Sequence, residues 1–205
     1  MKLPVLKIGD LTAEVPIIQG GMAIRLSTAR LAAAVAQEGG IGLIAASGMA
    51  VDELRKEIRL ARKLTGGKGI IGINAMVAAR EFLGLITTAA EEKIDLIVAG
   101  AGFSRDIFAV GREHNVAVVP IVSSVKLAKI SEKLGAAAIV VEGTEAGGHL
   151  GTQQSIKDIL PDIVKAVNIP VIAAGGATDG AAVAELLKLG ASVLPPAKNP
   201  TVLRR

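Results

Sequence analysis

The sequence of 205 residues has no cysteine, no tryptophan and no tyrosine, with three phenylalanines and two histidines. Without cysteine there is no disulfide framework, no thiolate metal site and no Cys nucleophile. Two histidines far apart in the chain make a weak metal-ligand set, so no metal is expected. The shortage of aromatics also weighs against nucleic acid, because the basic residues have no stacking platform beside them. The net charge of +4 is spread over helix-like stretches such as DELRKEIRLARK (52–63), which read as a solvated helix face. No apolar run approaches the ~20 residues a membrane span requires, since Gly, Pro or charge interrupts each one. The opening MKLPVLKIGDL lacks the apolar core and cleavage site of a signal peptide, and a cytoplasmic location is the default expectation. No nucleophile elbow is present to support a Ser-His-Asp triad, and GGKGIIG (66–72) lacks the spacing of a phosphate-binding P-loop.

What is abundant is small and aliphatic. Hydrophobic residues make up 51% of the chain, mean hydropathy is +0.53, and there are 24 glycines. Such residues suit parallel strands buried on both faces beneath closely packed helices. Short β-branched runs, Gly-rich turns and amphipathic segments alternate, the pattern of parallel strands with helical crossovers. Seven strands are expected: Pro16–Gln19, Ile41–Ala45, Ile70–Asn74, Leu96–Ala99, Ala117–Val122, Ala138–Val141 and Val171–Ala174. Ser27 or Thr28 is a candidate cap for the first helix, and Gly39-Gly40 closes it. A doubly wound open sheet would also alternate β and α. Every strand here ends in Gly, Ser, Asn or Glu, however, and a barrel collects its site from all strand ends. The expected fold is therefore α/β, a TIM (β/α)8-type barrel. ASVL (191–194) could begin strand eight, but PPAKNPTVLRR follows, and adjacent prolines stop a central strand.

Four segments carry candidate chemistry. In PIIQGGM (16–22), two glycines follow a strand, either as the floor of a planar cofactor site or as an ordinary tight turn. In EGTEAGGHLG (142–151), a single histidine, His149, sits among glycines after strand six and suits general acid/base work. His114 lies just before strand five, at the barrel's other end, and reads as a solvated side chain. In PVIAAGGATDG (170–180), paired glycines precede a helix. They can leave N–H groups for a phosphate, while Thr178 or Asp179 caps the helix. Asn74 ends strand three with an amide that can both donate and accept, at a ring edge or in a turn. Ser123-Ser124 reads as a cap for the next helix. Glu142 reads either as a cofactor contact or as a solvated carboxylate, and Glu145 as a loop charge.

PIIQGGM, INAM, AGAG, PIVSS, VVEGTEAGGHLG and PVIAAGG, in this order over about residues 1–192, resemble the nitronate monooxygenase family, formerly called 2-nitropropane dioxygenase. The FMN-dependent enoyl-[acyl-carrier-protein] reductase II enzymes share nearly the same motifs. The resemblance implies a TIM barrel binding FMN, with His149 as the catalytic histidine. It implies Gly20, Gly21 and Met22 beside the flavin and Asn74 as a flavin-contacting amide. Glu142, Gly147 and Gly148 fall where relatives contact FMN, and Gly175 and Gly176 match half of the phosphate cradle.

The departure is at VLPPAKNPTVLRR, where relatives carry a Gly-Thr-Arg-Phe-like turn that completes the cradle. The expectation is a barrel over 1–192 truncated at or before strand eight, followed by an atypical tail, 193–205. The implied activity is FMN-dependent oxidation of alkyl nitronates or nitroalkanes by O₂. The alternatives are NAD(P)H-dependent enoyl-thioester reduction on FMN and a non-catalytic barrel fragment that binds a ligand or a partner. A small-molecule substrate is expected as partner, with no nucleic acid and no membrane, and a homodimer is compatible with this reading.

Overall fold

The structure, a computed structural model, describes residues 4–22, 25–147 and 151–192. It opens with a hairpin, β1 (Leu6–Ile8) and β2 (Leu11–Ala13), paired antiparallel with Leu6 opposite Ala13. Gly9, at φ +56°, makes the turn in a conformation that only glycine adopts cheaply. The sequence reading did not anticipate this hairpin. Its three-residue strands are too short to stand out beside the longer parallel runs.

The first expected strand is reduced to a bridge. Ile18 pairs with Ile41, with Ile41 N donating to Ile17 O and Gln19 N to Ile41 O, both at 2.9 Å. The helices and strands that follow alternate throughout. They are α1 (Ala29–Gln37), β3 (Ile41–Ala45), α2 (Val51–Leu64), β4 (Ile70–Met76), α3 (Phe82–Glu91), β5 (Leu96–Gly100) and α4 (Asp106–His114). Then come β6 (Ala117–Val122), α5 (Val125–Leu134), β7 (Ile139–Glu142), α6 (Ile156–Ala166), β8 (Val171–Ala174) and α7 (Gly180–Lys188). Strands β3 to β8 form one parallel sheet in chain order. This is the curled α/β sheet of a TIM-type barrel.

Three strands change bounds, β5 only by running one residue on to Gly100. β4 runs on to Met76, because Ala46 N donates to Asn74 O and Val77 N to Gly100 O, extending the pairing on both sides. β7 begins at Ile139 and includes Glu142, which pairs with Ala174. Beyond β8, Ser192 N donates to Val171 O at 2.7 Å, the first rung of a neighbour for that strand. The prolines and the tail expected from Val193 onward lie outside the described residues.

The sheet divides the core in two. Leu6, Ile8 and Ala13 of the hairpin, with Ile18, Leu43, Val98, Val119, Val140 and Ile172, are buried in one cluster on one face. Alternate strand residues such as Ile44, Ile73, Ile97, Val118 and Val141 face the helices in the other. Both faces are covered, which is why the strands carry few polar residues.

Helix α1 lies hard against β3. A Cβ on Gly42 would overlap the Ala32 carbonyl, so only glycine lets the two backbones approach this closely. Neither Ser27 nor Thr28 caps α1 by a side-chain bond. The Ala29 amide instead donates to Glu57 Oε2 of α2 at 2.6 Å. Ser124 and Asp179 do cap α5 and α7, and Gly39, at φ +82°, closes α1 as expected.

The charged face of α2 is more than solvated. Arg55 and Arg59 both pair with Glu92 beyond the end of α3, and Arg62 pairs with Asp95, whose Oδ2 also accepts the Ile71 amide at 2.7 Å. The Arg59 and Arg55 guanidiniums hold the Glu92 carboxyl below the usual glutamate range, against a smaller opposing effect of desolvation.

Gly42→Ala is expected to destabilise the protein by about 3 kcal/mol or more, since the added methyl meets backbone that cannot rotate away. Urea unfolding monitored by circular dichroism reads this directly. A loss below about 1 kcal/mol, within the ordinary range for a tolerated substitution, would show that α1 is free to move off the sheet.

Candidate functional site

In a parallel sheet in chain order, every strand delivers its following loop to the same edge. The expected site residues arrive there in two groups. In the first, the loop Gly20–Met22 lies on the end of β4. A Cβ on Gly21 would overlap Asn74 Cβ and stand 2.7 Å from Asn74 Oδ1. Beyond its chain neighbours, no described atom lies within 4 Å of where a Cβ on Gly20 would be, so among the described residues that side of the loop is open. The next loop is held by Ser47, whose Oγ accepts the Met76 amide at 2.7 Å.

The second group joins β7 to β8. Glu142, half-buried, ends β7 beside Ala174. Gly175 and Gly176 have φ values of +111° and +71°, a turn reserved for glycine. A Cβ on Gly175 would stand 2.6 Å from Ala146 N, so the loop carrying Gly147 packs directly on this turn. The same loop re-emerges at Gly151, where a Cβ would stand 2.8 Å from Ser123 Oγ at the end of β6. Among the described residues, no acceptor is bonded to the Gly176 and Ala177 amides. The N-terminus of α7 is already capped by Asp179, whose Oδ1 accepts Ala182 N at 2.8 Å. Gly148 and His149 lie outside the described residues. His114 ends α4 just ahead of β6, at the opposite edge.

Three residues of the site escaped the sequence reading. Gln19 is buried, 4% exposed, and Ser27 is fully buried; together they bond the backbone of the Gly20–Met22 loop. A glutamine at a core position of a strand was the available signal, because buried amides need partners. The third is Glu145, which is not a bare loop charge. Its Oε1 accepts from Ser155 Oγ at 2.6 Å and its Oε2 from Ile156 N at 3.0 Å, tying the loop after β7 to the start of α6. Desolvation works to raise this carboxyl. The hydrogen bonds from Ser155, the Ile156 amide and the loop's own groups together outweigh it and hold the pKa below the usual value.

The family model for nitronate monooxygenase matches residues 6–194. The chain belongs to the nitronate monooxygenase family.

A probable nitronate monooxygenase of Staphylococcus aureus (strain MSSA476) is 31% identical over 226 residues, covering 88% of this chain and 63% of that protein. A (3aS,4S,5R,7aS)-5-hydroxy-7a-methyl-1-oxo-octahydro-1H-indene-4-carboxyl-CoA dehydrogenase of Rhodococcus jostii (strain RHA1) is 32% identical over 177 residues, covering 86% of this chain and 49% of that one. Among solved structures, FabK from Thermotoga maritima superposes with TM-score 0.85 at 37% identity, over 90% of this chain and 58% of that one. Nitroalkane oxidase from Streptomyces ansochromogenes superposes with TM-score 0.81 at 25% identity, over 90% and 65%. The chain thus spans from about half to just under two thirds of each of these relatives.

Because the folded-state pKa of Glu145 lies below its unfolded value, its contribution is complete above the glutamate range and is lost as pH falls through the folded pKa. Glu145→Gln is expected to cost about 0.5–1 kcal/mol at neutral pH, a modest figure because solvent screens an exposed carboxylate. The deficit should close only at acid pH below the ordinary glutamate range, once the carboxyl of the folded wild type is itself protonated. Denaturant midpoints measured from neutral to acid pH check this. A deficit that does not change with pH would show that the charge is not what holds the loop.

Proposed function

We propose that this chain forms the FMN-binding, substrate-oxidising part of a flavin-dependent oxidoreductase acting on alkyl nitronates and nitroalkanes with O₂. The observation that carries the reading is the Gly20–Met22 loop laid against Asn74 at the strand-end edge of a nitronate monooxygenase family sheet. The residues fit FMN. A flat ring needs backbone without Cβ beside it, and Gly20 has open space where its Cβ would be. A phosphate needs N–H groups, and Gly176 and Ala177 offer them in a glycine turn. FMN, when bound, would supply the electron acceptor for the oxidation.

The protein's part is position and proton handling. Asn74 would offer both donor and acceptor to the ring edge. Gly147 and Gly148 would let ring and substrate lie close to the loop, with Glu142 at its base. His149 would stabilise the anionic nitro group or remove the α-proton from a neutral nitroalkane. Residues 1–192 would form the barrel that carries these groups, with 193–205 apart from it.

One observation favours a second reading, enoyl-thioester reduction by NAD(P)H through FMN. Identity to FabK, 37%, exceeds the 25% to nitroalkane oxidase. In that reaction the same groups would position the flavin, and His149 would assist reduction of the thioester.

The purified protein is expected to be yellow or to take up added FMN, and to consume O₂ with an alkyl nitronate but not oxidise NADPH with an enoyl thioester. The reverse substrate pattern would select the reductase reading. A colourless protein that ignores FMN would favour a non-catalytic role. In a nitronate-active protein, His149→Asn should lower nitroalkane turnover by about 10²–10⁴-fold, the usual worth of a general base, and spare nitronate turnover. Equal losses on both substrates, read by oxygen consumption, would remove the base role.

A further inference from the structure

The parallel ladder stops at Gln19, whose amide makes the last rung to Ile41 O. Among the described residues no strand pairs with the loop that follows, yet it is partly buried and its backbone must find partners. Two side chains supply them. Gln19 Oε1 accepts the Leu43 amide at 3.0 Å, while its Nε2 donates to Gly20 O at 2.6 Å and to Ser27 Oγ at 3.0 Å. Ser27 Oγ also accepts the Met22 amide at 3.0 Å and donates to Gly20 O at 3.3 Å.

Every donor is used to capacity. Both Nε2 hydrogens are engaged, and the hydroxyl uses its one proton and two lone pairs. The amide cannot flip, because that would turn its NH₂ towards the Leu43 N–H and its oxygen towards Gly20 O. A network satisfied in this way has one low-energy arrangement.

Thr28 holds the N-cap position of α1 but makes no side-chain cap bond. Here Glu57 serves the Ala29 amide, and Ser27 is turned to the loop instead. The loop so held is the one with Gly21 pressed on Asn74 and Gly20 facing open space.

We propose that Gln19 and Ser27 are positioning residues, a buried clamp that presets the Gly20–Met22 backbone for the flat ring of the cofactor. The inference rests on the FMN reading above. It assigns a role to side chains that do not themselves touch the ring.

The test uses the full chain. Hydrogen exchange on the FMN-free protein reads the clamp, quenching of flavin fluorescence reads the dissociation constant for FMN, and thermal unfolding of the FMN-free protein reads general stability. In the wild type the Met22 amide should exchange slowly. In Ser27→Ala it should exchange at least about tenfold faster, with FMN binding weakened by about 10- to 100-fold, as expected for a buried network losing its shared hydroxyl. Gln19→Glu keeps the shape but replaces a donor with an acceptor, and should weaken FMN similarly should the serine variant fold poorly. Glu57→Ala removes the cap of α1 as a control. It should lower the melting temperature while leaving FMN affinity within about twofold, since its lost bond lies outside the clamp.

Fast exchange of Met22 in the wild type overturns the clamp. So does unchanged FMN affinity in a Ser27→Ala protein whose Met22 is deprotected, or an equal loss of affinity in Glu57→Ala. A protected Met22 in a wild type that binds no FMN overturns the cofactor reading itself, and leaves a clamp without that ligand.

Discussion

A parallel sheet must be covered on both faces, and this requirement shapes nearly everything else in the molecule. Each strand needs a crossover before the next can run the same way, so helices blanket one face. The other face closes on itself as the sheet curls, with the β1–β2 hairpin contributing Leu6, Ile8 and Ala13 to that inner cluster. Covering helices must come close to bury the sheet, which explains the abundance of alanine and glycine. The contact of Gly42 with the Ala32 carbonyl is the tightest expression of it.

The same topology creates a problem and a place to use it. Where the ladder ends, backbone amides lose their partners at the edge that carries the loops. The structure answers with side-chain acceptors reaching back to the backbone. Ser27 takes Met22 N, Ser47 takes Met76 N, and Glu145 takes Ile156 N. Gln19 takes Leu43 N from the neighbouring strand. These bonds leave glycines facing outward in fixed conformations. A ligand arriving there would meet backbone already ordered, with less conformational entropy left to lose on binding.

Much of this was readable from residue order, and the failures have physical causes. Strand positions were legible because buried parallel strands are continuous apolar runs, as in IGLIA and VIAA. The juxtaposition of Gly21 with Asn74 was not, because they lie 53 positions apart in the sequence and meet only through the β3–β4 register. Ser27 or Thr28 was legible as a cap by local rules, and those rules failed because Thr28, at the N-cap position, makes no side-chain bond while a carboxylate from another helix takes the Ala29 amide. Glu145 looked like a surface charge because its partners, Ser155 and Ile156, stand a loop away. The hairpin was missed for a different reason: three-residue strands leave almost no periodicity to read.

The two groups of site residues depend on different supports, and that difference bears on how the site would respond to change. Gly20–Met22 rests on a buried network, Gln19 and Ser27, shielded from solvent and from pH. The loop after β7 rests on an exposed carboxylate and on the packing of Gly175 against Ala146. Breaking a buried, fully used network leaves unpaired polar groups in the core, whereas an exposed ion–amide contact can be replaced by water. The first group is therefore the rigid side of the site, and the segment leading to Gly147 the adjustable one. That division suits the proposed flavin chemistry. The surface proposed to hold a planar cofactor rests on buried bonds, and the loop that leads towards His149, the proposed base, rests on contacts that water can replace.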